Sequence, residues 1–450
     1  MCPVLTHLYT PYMEKRAYLL LLSLFLAPLL AAAQDQPLVI SSFDGLWGLV
    51  LKNNPSEKVY ALNVEKAVRD HRASLSFIYP SVNGGFTGQN NPQLAITPVP
   101  GELVGRPGTT YNVRFGKPYV YGAGFSGTEN LFNWTQVFQA KVAANNIQVN
   151  QAQAAAYEQS LKEQTARYWY AVRIATGSVR VAERDLVLAD SAVALAQRKL
   201  DQGLSDATAL NQAKINYNDI VQNLAQSHQL YDQGMGNLRM LLGKQATDSL
   251  ALGDSLDIRG EPEQALINLN PDKNLDVYKI QLEGAQLQRK QKQAAFYPSV
   301  TLDGYFGQQQ FRDNFGMSFI PGAWTNYSYI QLNLNVPIFN GFVNRENLKS
   351  AETSVRISGI QYDNARLQSQ VNDDLLTKQY AHYLDISRAS RQNFLLYADN
   401  LELARRKFAE GMMAADAYLK VFEDYLGAEN TYLNNLSNLF STQASILARN

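Results

Sequence analysis

The stretch "AFYPSVTLDGYF" (residues 295–306) has a counterpart, "FIYPSVNGGF" (residues 77–86), earlier in the same chain. Both copies follow a polar, helix-like segment, and Tyr79 precedes Tyr297 by 218 positions. In the later copy apolar and polar residues alternate, and the earlier copy shows a weaker form of the same pattern. A period of two predicts β-strands with one apolar face. The chain therefore contains two related segments, each of which begins with a strand.

A second alternating stretch completes each segment. In "YSYIQLNLNVPIF" (residues 327–339) the apolar set is Ile330, Leu332, Leu334 and Val336. In the earlier segment, glycines alternate with Tyr121, Ala123 and Phe125. Each segment therefore predicts a β-hairpin, at about 79–128 and 297–337, with aromatic residues near the strand ends. One apolar face and aromatic ends are typical of outer-membrane barrel strands. An ordinary sheet whose apolar face packs on a core is the alternative.

The polar residues of the later hairpin share one predicted face: Thr301, Asp303, Gln331, Asn333 and Asn335. We expect these side chains to line a water-filled lumen, and a sheet on the periplasmic side is the alternative. Two hairpins supply only four strands, whereas the smallest known membrane barrels have about eight. Open strand edges are not tolerated in lipid. Several chains must therefore share one barrel.

Two long zones of the chain, 119–261 and 338–450, contain none of its 16 prolines. Proline breaks helices, so long helices are expected there. Each zone is interrupted once, by the pattern Ala-x-Arg-Lys-apolar-x-x-Gly, which ends at Gly203 and again at Gly411. A glycine beside turn-forming residues marks a helix end and a reversal. We predict helical hairpins over about 131–242 and 340–449, with first arms on the order of 100 Å long.

The N-terminus has the features of a secretory signal peptide. A basic pair at residues 15–16 is followed by an apolar run over 17–30 and by three alanines at 31–33. We expect residues 1–33 to be removed, so that the mature chain starts near Gln34. The only cysteine, Cys2, precedes the apolar run. The mature chain is therefore expected to have neither a disulfide nor a cysteine that could carry lipid.

The composition argues against several classes of function. The formal net charge is zero, so the chain lacks the basic surface that nucleic-acid binding requires. Three histidines outside the signal peptide are far apart, without metal-ligand spacing: His71, His228 and His382. No nucleophile, general base or metal-ligand set emerges. We predict that the protein is not an enzyme and needs no cofactor or metal.

With these features in this order, the sequence resembles the TolC-like outer-membrane efflux channel family. The resemblance covers about residues 41–450. It rests on the opening "SFDGLWGLVLKNNPSEKVYALNVEKAV", the two Tyr-Pro-Ser-Val starts, "VPIFNGF", "LRMLLGK" and the two glycines that end the first helical arms. It implies a homotrimer in the outer membrane, with a twelve-stranded barrel above a periplasmic tunnel of helices. It also implies passive export of drugs or small solutes.

The resemblance further implies partners and a domain plan. The partners are a periplasmic adaptor protein, an inner-membrane pump of RND or ABC type, and outer-membrane lipid. The predicted fold class is an α+β membrane protein with an internal two-fold repeat. The first repeat spans 34–242, an equatorial segment spans 243–275, and the second repeat spans 276–450.

By the same resemblance, the two reversals are the tips that contact the adaptor. The tip residues are Gly203, Leu204, Ser205, Gly411, Met412 and Met413. Exposed Leu and Met side chains beside a reversal suit a partner interface, since Met adapts to varied surfaces. The alternative is that these residues pack against each other at plain helix turns.

The resemblance also implies a gate near the tips. The candidates are Asp201, Asp206, Thr208, Asp416, Arg405, Arg406 and Lys407. We expect one of the aspartates to pair with one of the three cations and hold the tunnel shut. The alternative is a solvated charged surface, because exposed pairs contribute little. A family position that is often acidic is occupied here by Ala209, so cation selectivity through a simple acidic ring is not expected.

Two other functions fit parts of this sequence. A protein-secretion outlet has the same fold and differs only in the neighbouring pump. A soluble periplasmic coiled-coil adaptor shares the long helices, but it would not need alternating lipid-facing strands. Extraction behaviour would separate the adaptor from a membrane channel.

Overall fold

The computed structural model describes residues 38–450 apart from 246–248, 254–255, 263 and 265–266. The expected signal peptide over 1–33, Cys2 and the expected start near Gln34 lie outside the described residues. Within the described residues the strands are β1 (Leu38–Ile40), β2 (Ser81–Asn90), β3 (Ile96–Pro100), β4 (Thr110–Arg114), β5 (Tyr119–Phe132), β6 (Leu250–Leu252), β7 (Ser299–Arg312) and β8 (Thr325–Asn335). The α-helices are α1 (Phe43–Asn53), α2 (Pro55–Ser74), α3 (Trp134–Asp201), α4 (Ala207–Leu241), α5 (Lys273–Ala294), α6 (Val343–Ala409) and α7 (Ala415–Leu447).

The chain divides into two compact units. One unit, which we call the sheet unit, comprises residues 59–156 and 272–369. The other, which we call the helical unit, comprises residues up to 58, 157–271 and 370–450. None of the helices in the described ranges has both the length and the hydropathy that a bilayer crossing requires.

The sheet unit contains a four-stranded antiparallel sheet in the order β2-β5-β7-β8. The register pairs Phe125 with Phe306, and Gly304 with Ile330. The first hairpin is longer than its predicted range because β5 continues to Phe132. The prediction was wrong for Val336, which lies just beyond the end of β8. The proline at 337 lacks an N–H and cannot extend the strand ladder.

A small hairpin, β3–β4, interrupts the connection between β2 and β5. This segment is rich in proline and glycine, and prolines 98 and 100 argue against strands. The two strands form an isolated pair, and a backbone bond from Gly101 N to Thr109 O (2.7 Å) closes its end. An edge position tolerates proline because its nitrogen can point away from the ladder.

The helical unit has two hydrophobic cores. In one, aromatic rings stack between α6 and α7: Phe394 lies 5.7 Å from both Tyr425 and Tyr432, measured between ring centroids. In the other, residues of α1, α3 and α4 pack beside the parallel pair β1–β6. There Gly234 of α4 meets Val172 of α3 so closely that a Cβ would lie 2.5 Å from a valine methyl. Small residues thus set the close approach of these two long helices.

Candidate functional site

One face of the four-stranded sheet is apolar and uncovered. The register places on it Val82, Phe86, Phe125, Phe306, Ile330, Leu332 and Leu334. Phe306 is 75% exposed and Ile330 is 82% exposed, so no helix or second sheet of the described chain packs there. A soluble domain would bury such a surface, since a large exposed apolar patch marks a contact with a membrane or another protein. The alternative of an ordinary sheet packed on a core is therefore wrong.

The opposite face carries the predicted lumen residues, with Asp303 at their centre. The Asp303 carboxylate accepts hydrogen bonds from the Thr128 hydroxyl (2.6 Å), the Thr301 hydroxyl (3.5 Å) and the Asn333 amide. The Gln331 amide in turn donates to Asn333 Oδ1 (2.6 Å). Asn335 lies on the same face, because it pairs with Ser299 at the start of β7. Sequence reasoning missed Thr128, although it lies at the end of the predicted first hairpin.

Three tyrosines lie further along the polar face. The Tyr305 ring stacks on Tyr329 at 6.1 Å and meets Tyr327 at 5.7 Å. Glycines form the wall beneath Tyr305: a Cβ at Gly124 or at Gly307 would come within 2.7 Å of its hydroxyl. The glycines therefore let the Tyr305 side chain lie close against the sheet.

The sheet has two open edges, formed by β2 and β8. Their outward N–H and C=O groups have no strand partner within the described chain. An unpaired edge is a template for another strand. Each edge therefore offers a site to which a strand of another chain could bind.

The two tips have the same backbone geometry. Gly203 and Gly411 have φ of 72° and 76°, a left-handed conformation that favours glycine. At the first tip Leu204 N donates to Lys199 O (2.8 Å), and at the second Met412 N donates to Lys407 O (2.8 Å). These are Schellman ends, which satisfy carbonyls that the helix leaves free. The shared Arg-Lys-apolar-x-x-Gly sequence thus produces one geometry twice.

The tips lie side by side and line one groove of about 1180 Å³. The Lys199 ammonium donates to Phe408 O (3.1 Å) and lies 3.9 Å from the centre of the Phe408 ring. Of the predicted tip residues, Leu204 (71% exposed) and Met412 (68% exposed) present apolar side chains to solvent. Met413 instead packs against the helical core, and Ser205 is half-buried.

The predicted gate pairs do not form within the described chain. Glu402 binds both Arg405 (2.8 Å) and Arg406 (3.0 Å) and is held by them at a pKa of about 2. Residues three and four apart on a helix face each other, so this local pairing precedes any longer-range one. Asp201 accepts a hydrogen bond from Gln197 (2.9 Å). Pairing of these groups between copies stays a prediction.

The remaining gate candidates have distinct roles. Asp206 is the N-cap of α4 and accepts a hydrogen bond from Ala209 N (3.0 Å). Thr208 and Lys407 are exposed, as is Asp416 in the first turn of α7. Asp206 and Asp416 therefore differ, because Asp206 caps a helix whereas Asp416 is an exposed residue of the first turn of α7.

We expect Asp206→Asn combined with Asp416→Asn to raise single-channel conductance, because the variant lacks two of the charges predicted to hold the tunnel shut. Asparagine is chosen because it can still cap the N-terminus of α4. Conductance in planar bilayers measures the effect. The control is Asp206→Ala, which also removes the cap and should cost about 1 kcal/mol of stability. Unchanged conductance in the asparagine double variant would remove both residues from the gate.

A buried carboxyl pair in the helical unit was missed by sequence reasoning. Asp185 of α3 and Glu429 of α7 are 3% and 8% exposed and share a hydrogen bond. The Tyr425 hydroxyl donates to both oxygens of Asp185 (3.1 and 3.2 Å). Burial, followed by the nearby Asp185 charge, raises the pKa of Glu429 to about 9. The raised pKa favours the protonated form of Glu429, whose hydroxyl donates a hydrogen bond to the Asp185 carboxylate.

Comparison with known proteins agrees with this geometry. A model of the outer membrane efflux protein family matches residues 46–244 and 263–448. A probable outer membrane lipoprotein, SilC of Salmonella typhimurium, is 24% identical over 413 residues, covering 89% of this chain and 81% of SilC. The cation efflux system protein CusC of Escherichia coli K12 is 24% identical over 411 residues, covering 89% and 81% of the two chains.

Solved structures show the same fold. A structure of CusC aligns with a TM-score of 0.70 at 18% identity, covering 90% of each chain. The open-state MtrE channel of Neisseria gonorrhoeae aligns with a TM-score of 0.68 at 18% identity, covering 90% of this chain and 88% of that one. The CmeC channel of Campylobacter jejuni gives 0.67 at 15% identity, covering 90% and 85%.

Proposed function

This chain belongs to the outer membrane efflux protein family, and from that premise we propose that three copies form the passive exit duct of a tripartite export assembly. The family resemblance and the outer-membrane location are thereby confirmed, which rules out a soluble adaptor. The observation that carries the proposal is the four-stranded sheet, with one exposed apolar face, one polar face and two open edges. Joining β8 of each copy to β2 of the next yields a closed barrel of twelve strands.

In this arrangement one face of the sheet contacts lipid and the other contacts water. The apolar face meets lipid, where every backbone group must be paired and no edge is left open. The polar face, centred on Asp303, lines a water-filled lumen. The helical hairpins extend into the periplasm, and their tips, with Leu204 and Met412, contact an adaptor that links the duct to an inner-membrane pump. The energy for export comes from the pump, so the duct itself needs no catalytic group.

We propose small solutes as the cargo. The name of CusC, which refers to cation efflux, adds cations to the solutes that should be tested. Protein secretion is the alternative cargo, and the neighbouring pump decides between them.

The test is a host strain that lacks this chain, grown with a panel of dyes, detergents, antibiotics and metal salts. We expect greater sensitivity to part of the panel, restored by the native gene. Unchanged sensitivity to every solute, together with loss of one secreted protein, would favour the secretion outlet and contradict small-solute export.

A further inference from the structure

The connection between β7 and β8, which we call the outer loop (residues 313–324), folds back onto the apolar side of the sheet. The N–H of Gly316 donates to the Tyr121 hydroxyl (2.9 Å), and the Phe315 ring packs edge-on against Tyr119 at 5.8 Å. Tyr119 and Tyr121 lie on the face that carries Phe125, because side chains two apart on a strand share a face. The outer loop therefore contacts the apolar face through Phe315 and Gly316.

The outer loop also buries a polar side chain that lies on the apolar face of the sheet. Gln310 of β7, which pairs with Tyr121, is 1% exposed. Its amide donates to Ser318 O (2.8 Å), and its carbonyl oxygen accepts from Ser318 N (2.8 Å). The indole N–H of Trp324 donates to the same Ser318 carbonyl (2.9 Å). The glutamine is thus fully hydrogen-bonded inside the loop and withdrawn from the surface.

In place of the glutamine, the outer loop presents apolar side chains. Phe315 is 84% exposed, Phe319 82% and Ile320 72%. Phe315 continues the apolar face through its contact with Tyr119, at the end of the sheet opposite to the one where Phe132 leads into α3. The ion pair of Lys117 with Asp313 (2.7 Å) ties the start of the loop to the segment that immediately precedes β5.

We propose that the outer loop is a lipid anchor, whose Phe315, Phe319 and Ile320 insert among the acyl chains of the outer leaflet. The inference rests on the proposed function, in which the apolar face of the sheet meets lipid. Its physical basis is that Phe315 extends the apolar face by packing on Tyr119, and that Phe319 and Ile320 of the same loop are exposed apolar side chains. Trp324, with its indole N–H satisfied inside the loop, is a residue type enriched at the membrane–water interface.

The test uses single-cysteine variants of the full chain. Cys2→Ser removes the only natural cysteine, and Phe319→Cys then carries a nitroxide label in the outer loop. Ile330→Cys is the lipid-facing control on the sheet. Leu103→Cys, in the turn of the β3–β4 hairpin and 77% exposed, is the comparison site outside the four-stranded sheet. Each protein is reconstituted in vesicles of phosphatidylethanolamine and phosphatidylglycerol, and collisions with oxygen and with a nickel chelate are measured by electron paramagnetic resonance.

We expect the label at 319 to follow the label at 330, with a ratio of oxygen to nickel collisions several-fold above that at 103. A label at 319 that is as open to nickel as the label at 103 would overturn the lipid anchor. Low access to both reagents at 319 would place the loop against another copy and would also overturn it. Nickel access at 330 itself would contradict the lipid-facing sheet and hence the proposed function.

Discussion

Replacing Leu204 and Met412 together with aspartate should reduce export by ~10-fold or more. A carboxylate that is buried in an interface without a partner costs several kcal/mol of binding free energy. A loss of ~1.4 kcal/mol already lowers the affinity tenfold. These two side chains are the exposed apolar groups of the predicted tip set and lie on the rim of one groove. Both follow a Schellman end, so the substitutions leave the glycines and the helix ends intact. The readouts are solute sensitivity of the host and crosslinking to the adaptor.

The matched control for the tips is Leu103→Asp, which places the same charge on a comparably exposed leucine of the β3–β4 hairpin. The control variant should export normally and crosslink normally. If the Leu204/Met412 double variant also retains export and crosslinking while it is present in the outer membrane in normal amount, the tips do not bind the adaptor.

Glu429→Gln should remove a pH-dependent loss of stability from the helical unit. An acid whose pKa is higher in the folded than in the unfolded state stabilises the fold while it is protonated. This stabilisation is complete below the pKa of the unfolded state, and it is lost as the pH rises toward the pKa of the folded state. Here the window runs from the ordinary value of 4.5 to about 9. One linked proton changes the unfolding free energy by up to ~1.4 kcal/mol per pH unit. Glutamine keeps an N–H donor for Asp185 and has nothing to ionise.

The measurement for Glu429 is the thermal unfolding midpoint of the detergent-solubilised protein between pH 5 and pH 9. The midpoint of the native protein should fall across this range more steeply than that of Glu429→Gln. Glu410→Gln, an exposed carboxylate near the second tip, is the control and should follow the native curve. Superimposable curves for the native protein and Glu429→Gln would mean that Glu429 is ionised in the fold.

Local patterns were the part of this fold that the sequence could predict. Alternation from Val300 onward defines one apolar face because a strand has a side-chain period of two. The glycines at 203 and 411 mark helix ends because a left-handed residue is needed there. The β3–β4 hairpin was missed because its prolines oppose strand formation in general and are tolerated only in so isolated a pair.

Contacts between distant residues could not be predicted in the same way. Asp185 and Glu429 contact each other from two different helices, and the sequence around neither residue has a pattern that predicts a buried carboxyl pair. Within one chain, Arg405 and Arg406 bind Glu402, which lies one turn away on the same helix. Their pairing with the gate aspartates stays a prediction. Whether the lumen residues around Asp303 face water depends on a closed barrel, which one chain alone cannot form.

In the proposed arrangement several copies of this chain share one barrel, and the mass of the detergent-solubilised particle shows whether they do. The protein would be extracted from outer-membrane fractions and its mass measured by light scattering, corrected for bound detergent. We expect a particle of three chains of 50.2 kDa each, less the expected signal peptide. A particle of one chain in detergent, or a protein that stays in solution without detergent, would contradict the shared barrel.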